Sequence, residues 1–372
     1  MTDLARAGGA SAKPQRSPPR GETGAIGWAR KNLFNGWGNG ITTIVLVVGI
    51  GWLLWGILDW GLFRAVFSAP DGAACKQASP DGACWAIIGD KYRLIFFGTY
   101  PLDEHWRPLF ACIAIIAMLV VSCDRRFWNW RLLVIWGVGT VVSLTLMFGG
   151  VLGLSFVETS RWGGLPVTLI LAAYALAFAF PLGVLAALGR RSNLPLIKGL
   201  CVGYIELIRG VPLISLLIMA SVMLPLFLPA GVSIDKFLRA LVAVTLFAGA
   251  YIAEIVRGGL QSLSKGQYEA ADALGLNYPQ KTLFVILPQA LAVVIPPLVN
   301  TFIGFFKDTS LVLIIGIFDL LNAGEQAIAD RAWAGFANEV HIFLAALYFA
   351  MCYSMSLYSK HLERELNRGV RR

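Results

Sequence analysis

The sequence predicts an all-α polytopic membrane protein with about eight transmembrane helices, and three observations carry that prediction. Hydrophobic residues make up 57% of the 372 and charged residues only 14%, where a soluble domain carries roughly 25% charge. Apolar runs that reach or approach spanning length, some of them short or broken, occur near residues 41–63, 109–122, 132–155, 165–188, 211–228, 237–256, 290–306 and 341–358. With the N-terminus inside, 21 of the 31 Lys and Arg fall on inner segments and 9 on outer ones, 5 of those in one long loop; Lys307 is left in or beside a span. That asymmetry places both termini in the cytoplasm. The net charge of +9 then reflects mostly membrane orientation and calls for no nucleic acid.

Residues 1–32 are rich in Ala, Gly, Pro and Arg and read as a disordered cytoplasmic tail, solvated or in contact with anionic membrane lipid. No apolar signal core occurs in residues 1–31, so secretory processing is not expected. Residues 33–158 form an N-terminal transmembrane extension. Its first span carries Trp52, Trp55 and Trp60 toward the outer end, where aromatic rings suit the interface. A long periplasmic loop, 64–107, follows. It repeats Pro-Asp-Gly twice, a strong turn signal, and places Cys75 and Cys84 nine residues apart. In an oxidising compartment these two can form a disulfide, although spacing does not prove connectivity. Cys112, Cys123, Cys201 and Cys352 lie in or near spans and read as small packing residues. His105, His341 and His361 are scattered without ligand spacing, so no metal site is expected.

A core is expected over residues 159–360, followed by a basic cytoplasmic tail, 361–372. Glu206 and Arg209, and again Glu254 and Arg257, stand one helical turn apart at the inner ends of spans. They read as interfacial ion pairs, or as groups holding the next inner loop against the core. That loop, 261–290, is the longest polar interruption of the second half. Ser264 is placed to cap a helix that Gly275 ends with left-handed backbone; Asn277 can cap a second helix with Pro279 in its first turn, and Pro288 disturbs it further on. Pro296-Pro297 should break or kink the following span. Beyond it stand Lys307, Asp308, Thr309 and Ser310, polar residues between two apolar runs. Ionisable groups at membrane depth are costly and suggest function. With Asn300 they form a candidate substrate path or gate; a structural knot and a contact with another subunit are the alternatives.

Glu269-Ala270-Ala271, then Asp272, Gly275 and Leu287-Pro288, resemble the EAA loop of ABC-importer permeases, with Val285 where that pattern usually has Ile. The ELIRGVPL, AEIVRGGLQS, PPLVN and KDTSL runs resemble its polar-amino-acid branch, over about residues 165–330. The extension with its Cys loop resembles the larger permease of general L-amino acid transport systems. The resemblance implies a type I ABC importer permease core in a bacterial inner membrane, moving polar L-amino acids inward, such as glutamate, glutamine, aspartate or asparagine, or a broad range. It implies three partners: a second, shorter permease forming a heterodimer, an ABC ATPase dimer docked on the EAA loop, and a periplasmic amino-acid-binding protein.

The chain has no Gly-Lys dipeptide and hence no phosphate-binding P-loop, nor a Gly-x-Ser-x-Gly elbow. It is therefore expected to be no enzyme and to hold no cofactor, with ATP and Mg on the partner ATPase. An ion-coupled secondary transporter and a non-transporting scaffold are the rival readings. The first lacks visible repeated halves; the second gives no reason for Lys307 to Ser310.

Overall fold

The computed structural model describes residues 24–229 and 231–367. The expected disordered tail lies outside the described residues over 1–23, and its remainder, Gly24–Asn32, is helical (α1). The basic C-terminal tail is helical through residue 367, and 368–372 lie outside the described residues.

Two compact units are distinguished. One comprises residues 24–66 and 79–83. Its main element, α2 (Trp37–Leu58), continues through a π-helical turn at Asp59–Phe63. None of the α2 side chains is buried. A helix apolar all round suits lipid rather than water. At its end Arg64 pairs with Asp59, and the Ala83 N–H donates to the Trp60 carbonyl, 2.9 Å.

The other unit comprises residues 67–78 and 84–367. Its first part holds α3 (Gly72–Ala78) and α4 (Ala86–Phe97), with Cys75 and Cys84 joined in a disulfide. This lobe is fastened to a distant part of the chain. The Cys84 N–H donates to buried Glu339 at 3.0 Å, Trp333 Nε1 donates to Asp90 at 2.8 Å, and Lys91 pairs with Asp330 at 2.6 Å. Next come α5 (Trp106–Ser122) and α6 (Trp130–Phe148), packed on each other. Buried Arg107 ties the start of α5 to the end of α6: it donates to the Leu146 and Ser155 carbonyls at 2.7 and 3.0 Å and pairs with Glu104.

A two-residue strand β1 (Gly163–Gly164) pairs in parallel with β2 (Phe318–Asp319) and leads into α7 (Leu165–Arg190). Helix α7 packs most extensively against α10 (Lys236–Ser262). Small residues allow the approach: a Cβ at Gly183 would stand 2.6 Å from Ile252 and 2.9 Å from the Gly249 carbonyl. Membrane helices associate by such close packing, because lipid removes the hydrophobic drive. Between them lie α8 (Pro195–Arg209) and α9 (Leu213–Ile218). The chain then passes through α11 (Lys265–Ala273), α12 (Tyr278–Gln280), α13 (Leu287–Asp308), α14 (Leu320–Ile328) and α15 (Ala337–Asn367).

Among the described residues six helices are long and apolar enough to cross a membrane: Trp37–Phe63, Trp130–Phe148, Leu165–Arg190, Lys236–Ser262, Tyr278–Ile315 and Ala337–Glu365. The expected polytopic all-α fold holds, with six or more such helices and up to seven if the bent pair below is one span. Helix α5 is shorter, at 17 residues, and the run at 211–228 is the second arm of a pair, Pro195–Arg209 and Leu213–Phe227, bent by 105°. Pro212 causes the bend by removing an N–H and keeping Val211 out of helical geometry. Of the break or kink expected at Pro296-Pro297, the break is corrected: α13 runs through both prolines. Their rings impose helical φ, and α10 and α15 hold the helix. The irregularity lies before Pro288, where Lys281–Ile286 form a π-helical turn.

Candidate functional site

The loop expected on the inner side begins where α10 ends. Ser264 takes the N-cap position of α11, but its hydroxyl makes no cap hydrogen bond. The other end is fully capped. Gly275 has φ +72°, its N–H donates to Asp272 at 2.9 Å, and the Leu276 N–H donates to Ala271 at 3.2 Å. These two bonds make a Schellman turn, which satisfies the last carbonyls of a helix and reverses the chain. One residue later Asn277 and Gln280 form a reciprocal capping box: each side chain accepts from the other's N–H, at 3.0 and 3.1 Å. Two opposed caps therefore meet at residues 274–277 and fix the angle between α11 and the helix that follows.

Helix α11 is held on one face and free on the other. Ala271 is buried, 2% exposed, and Tyr268 is half-buried. Arg191, just after α7, donates to the Tyr268 hydroxyl at 3.0 Å and to the Leu260 carbonyl at 2.9 Å, with its guanidinium 5.5 Å from the Tyr268 ring centre. Gln289 Nε2 donates to Gln267 at 3.0 Å, and Lys281 pairs with Asp272 across the turn. The opposite face exposes Glu269, Ala270, Ala273 and Leu274. Exposed Tyr278 and Phe284 follow beyond the turn, and Pro288 is exposed beside half-buried Leu287. The result is a rigid ledge with acidic, small and apolar groups presented outward.

The charged groups behind the ledge pair differently from the expectation. Arg257 does bind Glu254, with Nε 2.9 Å from its carboxylate. Glu206, however, pairs with Arg190 at 2.9 Å, and Arg209 lies 3.7 Å from Glu254. The local Glu206–Arg209 pair is corrected to a five-residue cluster joining the end of α7, α8 and α10. A third helix supplied Arg190, whose approach no i,i+3 spacing reveals. Arg191 was missed for the same reason.

In α13, Asn300 and Lys307 are both exposed, two turns apart on one helix face, about 10 Å along the axis. Asp308 is half-buried, while Thr309 is buried at 1% with its hydroxyl bonded to the Phe306 carbonyl at 2.9 Å. The Ser310 hydroxyl donates to the Lys307 carbonyl, 2.9 Å. The four polar residues thus divide, with Lys307 facing outward and Thr309 facing the interior. Near them is a buried polar knot that the sequence did not suggest. Asp319 accepts from Asn322 Nδ2 at 2.6 Å and from the Tyr348 hydroxyl at 2.9 Å, while the Leu320 N–H donates to the Thr168 hydroxyl, 2.9 Å. Burial raises the Asp319 carboxyl above the usual range. No group of three His, Cys, Asp or Glu side chains suited to a metal occurs among the described residues.

Residues 179–368 match the family described as binding-protein-dependent transport system inner membrane component. The chain is 46% identical over 366 residues to the inner membrane amino-acid ABC transporter permease protein YhdY of Escherichia coli strain K12, covering 96% of this chain and 97% of that protein. It is 37% identical over 422 residues to the glutamate/glutamine/aspartate/asparagine transport system permease protein BztC of Rhodobacter capsulatus, with 96% and 97% covered. A solved amino acid ABC transporter with histidines is 34% identical, covering 54% of this chain and 92% of that one, at a TM-score of 0.48. By the matched family and by identity along nearly its whole length, this chain belongs to the binding-protein-dependent transport system inner membrane component family.

Proposed function

We propose that this chain is the permease subunit of an importer for polar L-amino acids, driven by ATP hydrolysis on a separate subunit. The observation that carries the reading is the ledge at α11: one face bolted to the helices behind it, the other open, with opposed caps fixing its angle. An element held in this way transmits a push as a rigid body, which is what an ATPase dimer docked on Glu269 to Leu274 requires. The substrate class is supported by the two relatives matched along nearly the whole chain, one an amino-acid permease and the other a glutamate/glutamine/aspartate/asparagine permease. Binding of the nucleotide is assigned to the partner, because this sequence has no P-loop.

In this reading a second, shorter permease covers the open face of α13, a periplasmic binding protein delivers substrate outside, and both termini lie in the cytoplasm. Asn300 and Lys307 then stand along the path, with Lys307 available to a substrate carboxylate. The test is uptake of labelled glutamate, glutamine, aspartate and asparagine by proteoliposomes holding the co-purified complex. ATP-dependent uptake supports the reading. Uptake driven by an ion gradient without ATP refutes it.

A further inference from the structure

At the outer ends of the membrane helices is a cleft of about 440 Å³ that the transport reading does not use. It lies where α6 ends, α10 begins and the turn after residue 315 returns. Its aromatic side is Phe148, Trp162 and Phe237, with the Trp162 ring 4.5 and 5.3 Å from the other two ring centres in edge-to-face contact. Trp162 is 2% exposed, yet its Nε1 has no hydrogen-bond partner among the described residues. A buried indole N–H ordinarily has an acceptor; this one is closed off behind the rings, so the aromatic wall meets the cleft with ring faces and edges.

The rim is charged in an ordered way. Glu158 and Asp235 line it, each accepting from a neighbouring hydroxyl: Ser160 at 3.1 Å and Thr159 respectively. Lys236 lines it too and makes no ion pair among the described residues. Its Nζ lies beside Gly316, 3.7 Å from where a Cβ there would stand. Two carboxylates and aromatic rings attract an organic ammonium. A lysine without a carboxylate partner attracts an anion.

We propose that this cleft binds a zwitterion carrying an ammonium and an acid group a few bonds apart. The head of phosphatidylethanolamine and a free α-amino acid share that chemistry. The location at the helix ends, with Phe156 65% exposed beside the rim, matches the level of lipid headgroups. Phe148 to Trp162 precede the family-matched residues, which begin at 179. The cleft is therefore built jointly by the N-terminal extension and the core. This inference does not rest on the transport reading, and its test is binding rather than uptake.

The experiment uses the full chain purified in mild detergent with its co-purifying partners. Dioleoyl-phosphatidylethanolamine, dioleoyl-phosphatidylglycerol and L-glutamine are titrated separately and binding is read by native mass spectrometry. The wild type is compared with a Glu158→Gln/Lys236→Met variant and with Phe156→Ser. All three side chains are exposed, so folding does not depend on them. Saturable binding of the ethanolamine lipid or of glutamine is expected, weakened at least tenfold by the charge variant. Lipid alone identifies a headgroup site, and glutamine alone a free amino acid site. Phosphatidylglycerol binding as tightly as the ethanolamine lipid would overturn the proposal. So would no saturable binding, or binding that the charge variant leaves unchanged.

Discussion

Arg191 reaches Tyr268 across 77 positions of sequence, donating 3.0 Å to its hydroxyl while its guanidinium lies over the ring. The same Arg191 nitrogen donates to the Leu260 carbonyl near the end of α10. One side chain thus links the end of α7, the end of α10 and the ledge helix. A planar guanidinium can stack and donate at once, which an ammonium does less well.

If the link carries motion, Arg191→Ala lowers ATP-driven uptake at least fivefold while the ATPase still co-purifies. Arg191→Lys recovers only part of the loss. Uptake and ATP hydrolysis measured on the same proteoliposomes check this. A fall in both to the same extent would instead indicate lost docking.

Gly275 supplies a second test. A Cβ there meets no atom of this chain within 4 Å, so an effect of substitution on the turn itself comes from the backbone at φ +72°. Left-handed backbone costs an ordinary residue about 1–2 kcal/mol, whereas Asn tolerates it. Gly275→Val therefore abolishes ATPase co-purification and Gly275→Asn keeps most of it. Equal retention by both variants, in quantitative pull-downs, would show that the Schellman turn does not set docking.

The lobe closed by Cys75 and Cys84 makes a prediction about redox state. In the chain-entropy account a bridge closing about ten residues contributes about 2.5 kcal/mol. Breaking the bridge by Cys75→Ser should therefore loosen residues 72–97 by that order. Because Glu339, Trp333 and Asp330 hold the same lobe, residues 329–340 should loosen with it. Hydrogen exchange of both segments, with and without reductant, is the measurement.

The Arg107 latch has a defined pH sign. The Ser155 hydroxyl, and then Arg107, hold Glu104 below the usual carboxylate range. A depressed folded value means stability that is complete above the unfolded value, about 4.3, and lost as pH falls through the folded one. Melting of wild type minus Glu104→Gln should be constant above about pH 5 and shrink below about pH 4. A difference independent of pH would assign the loss to packing.

Features that depend on neighbouring residues were legible in the sequence. Gly275 and Asn277 announce their caps by type and position, because cap chemistry is local. Features that depend on a third element were not. Nothing near Glu206 says that Arg190 rather than Arg209 will meet it, and nothing near Tyr268 names Arg191. Pro296-Pro297 misled for a related reason: a proline's lost N–H is local, while the packing that keeps α13 continuous comes from α10 and α15. Asp319 was passed over because a single acid between apolar runs carries no pattern; only the fold brings Asn322 and Tyr348 to it.

The most direct test of the central claim is a pull-down of the tagged chain from its host in mild detergent, identified by mass spectrometry, with Gly275→Val alongside. The account predicts that an ABC ATPase and a second, shorter permease accompany the wild type, and that the ATPase is lost from the variant. A folded, inserted wild-type chain that is recovered alone and still moves amino acids without ATP would contradict it.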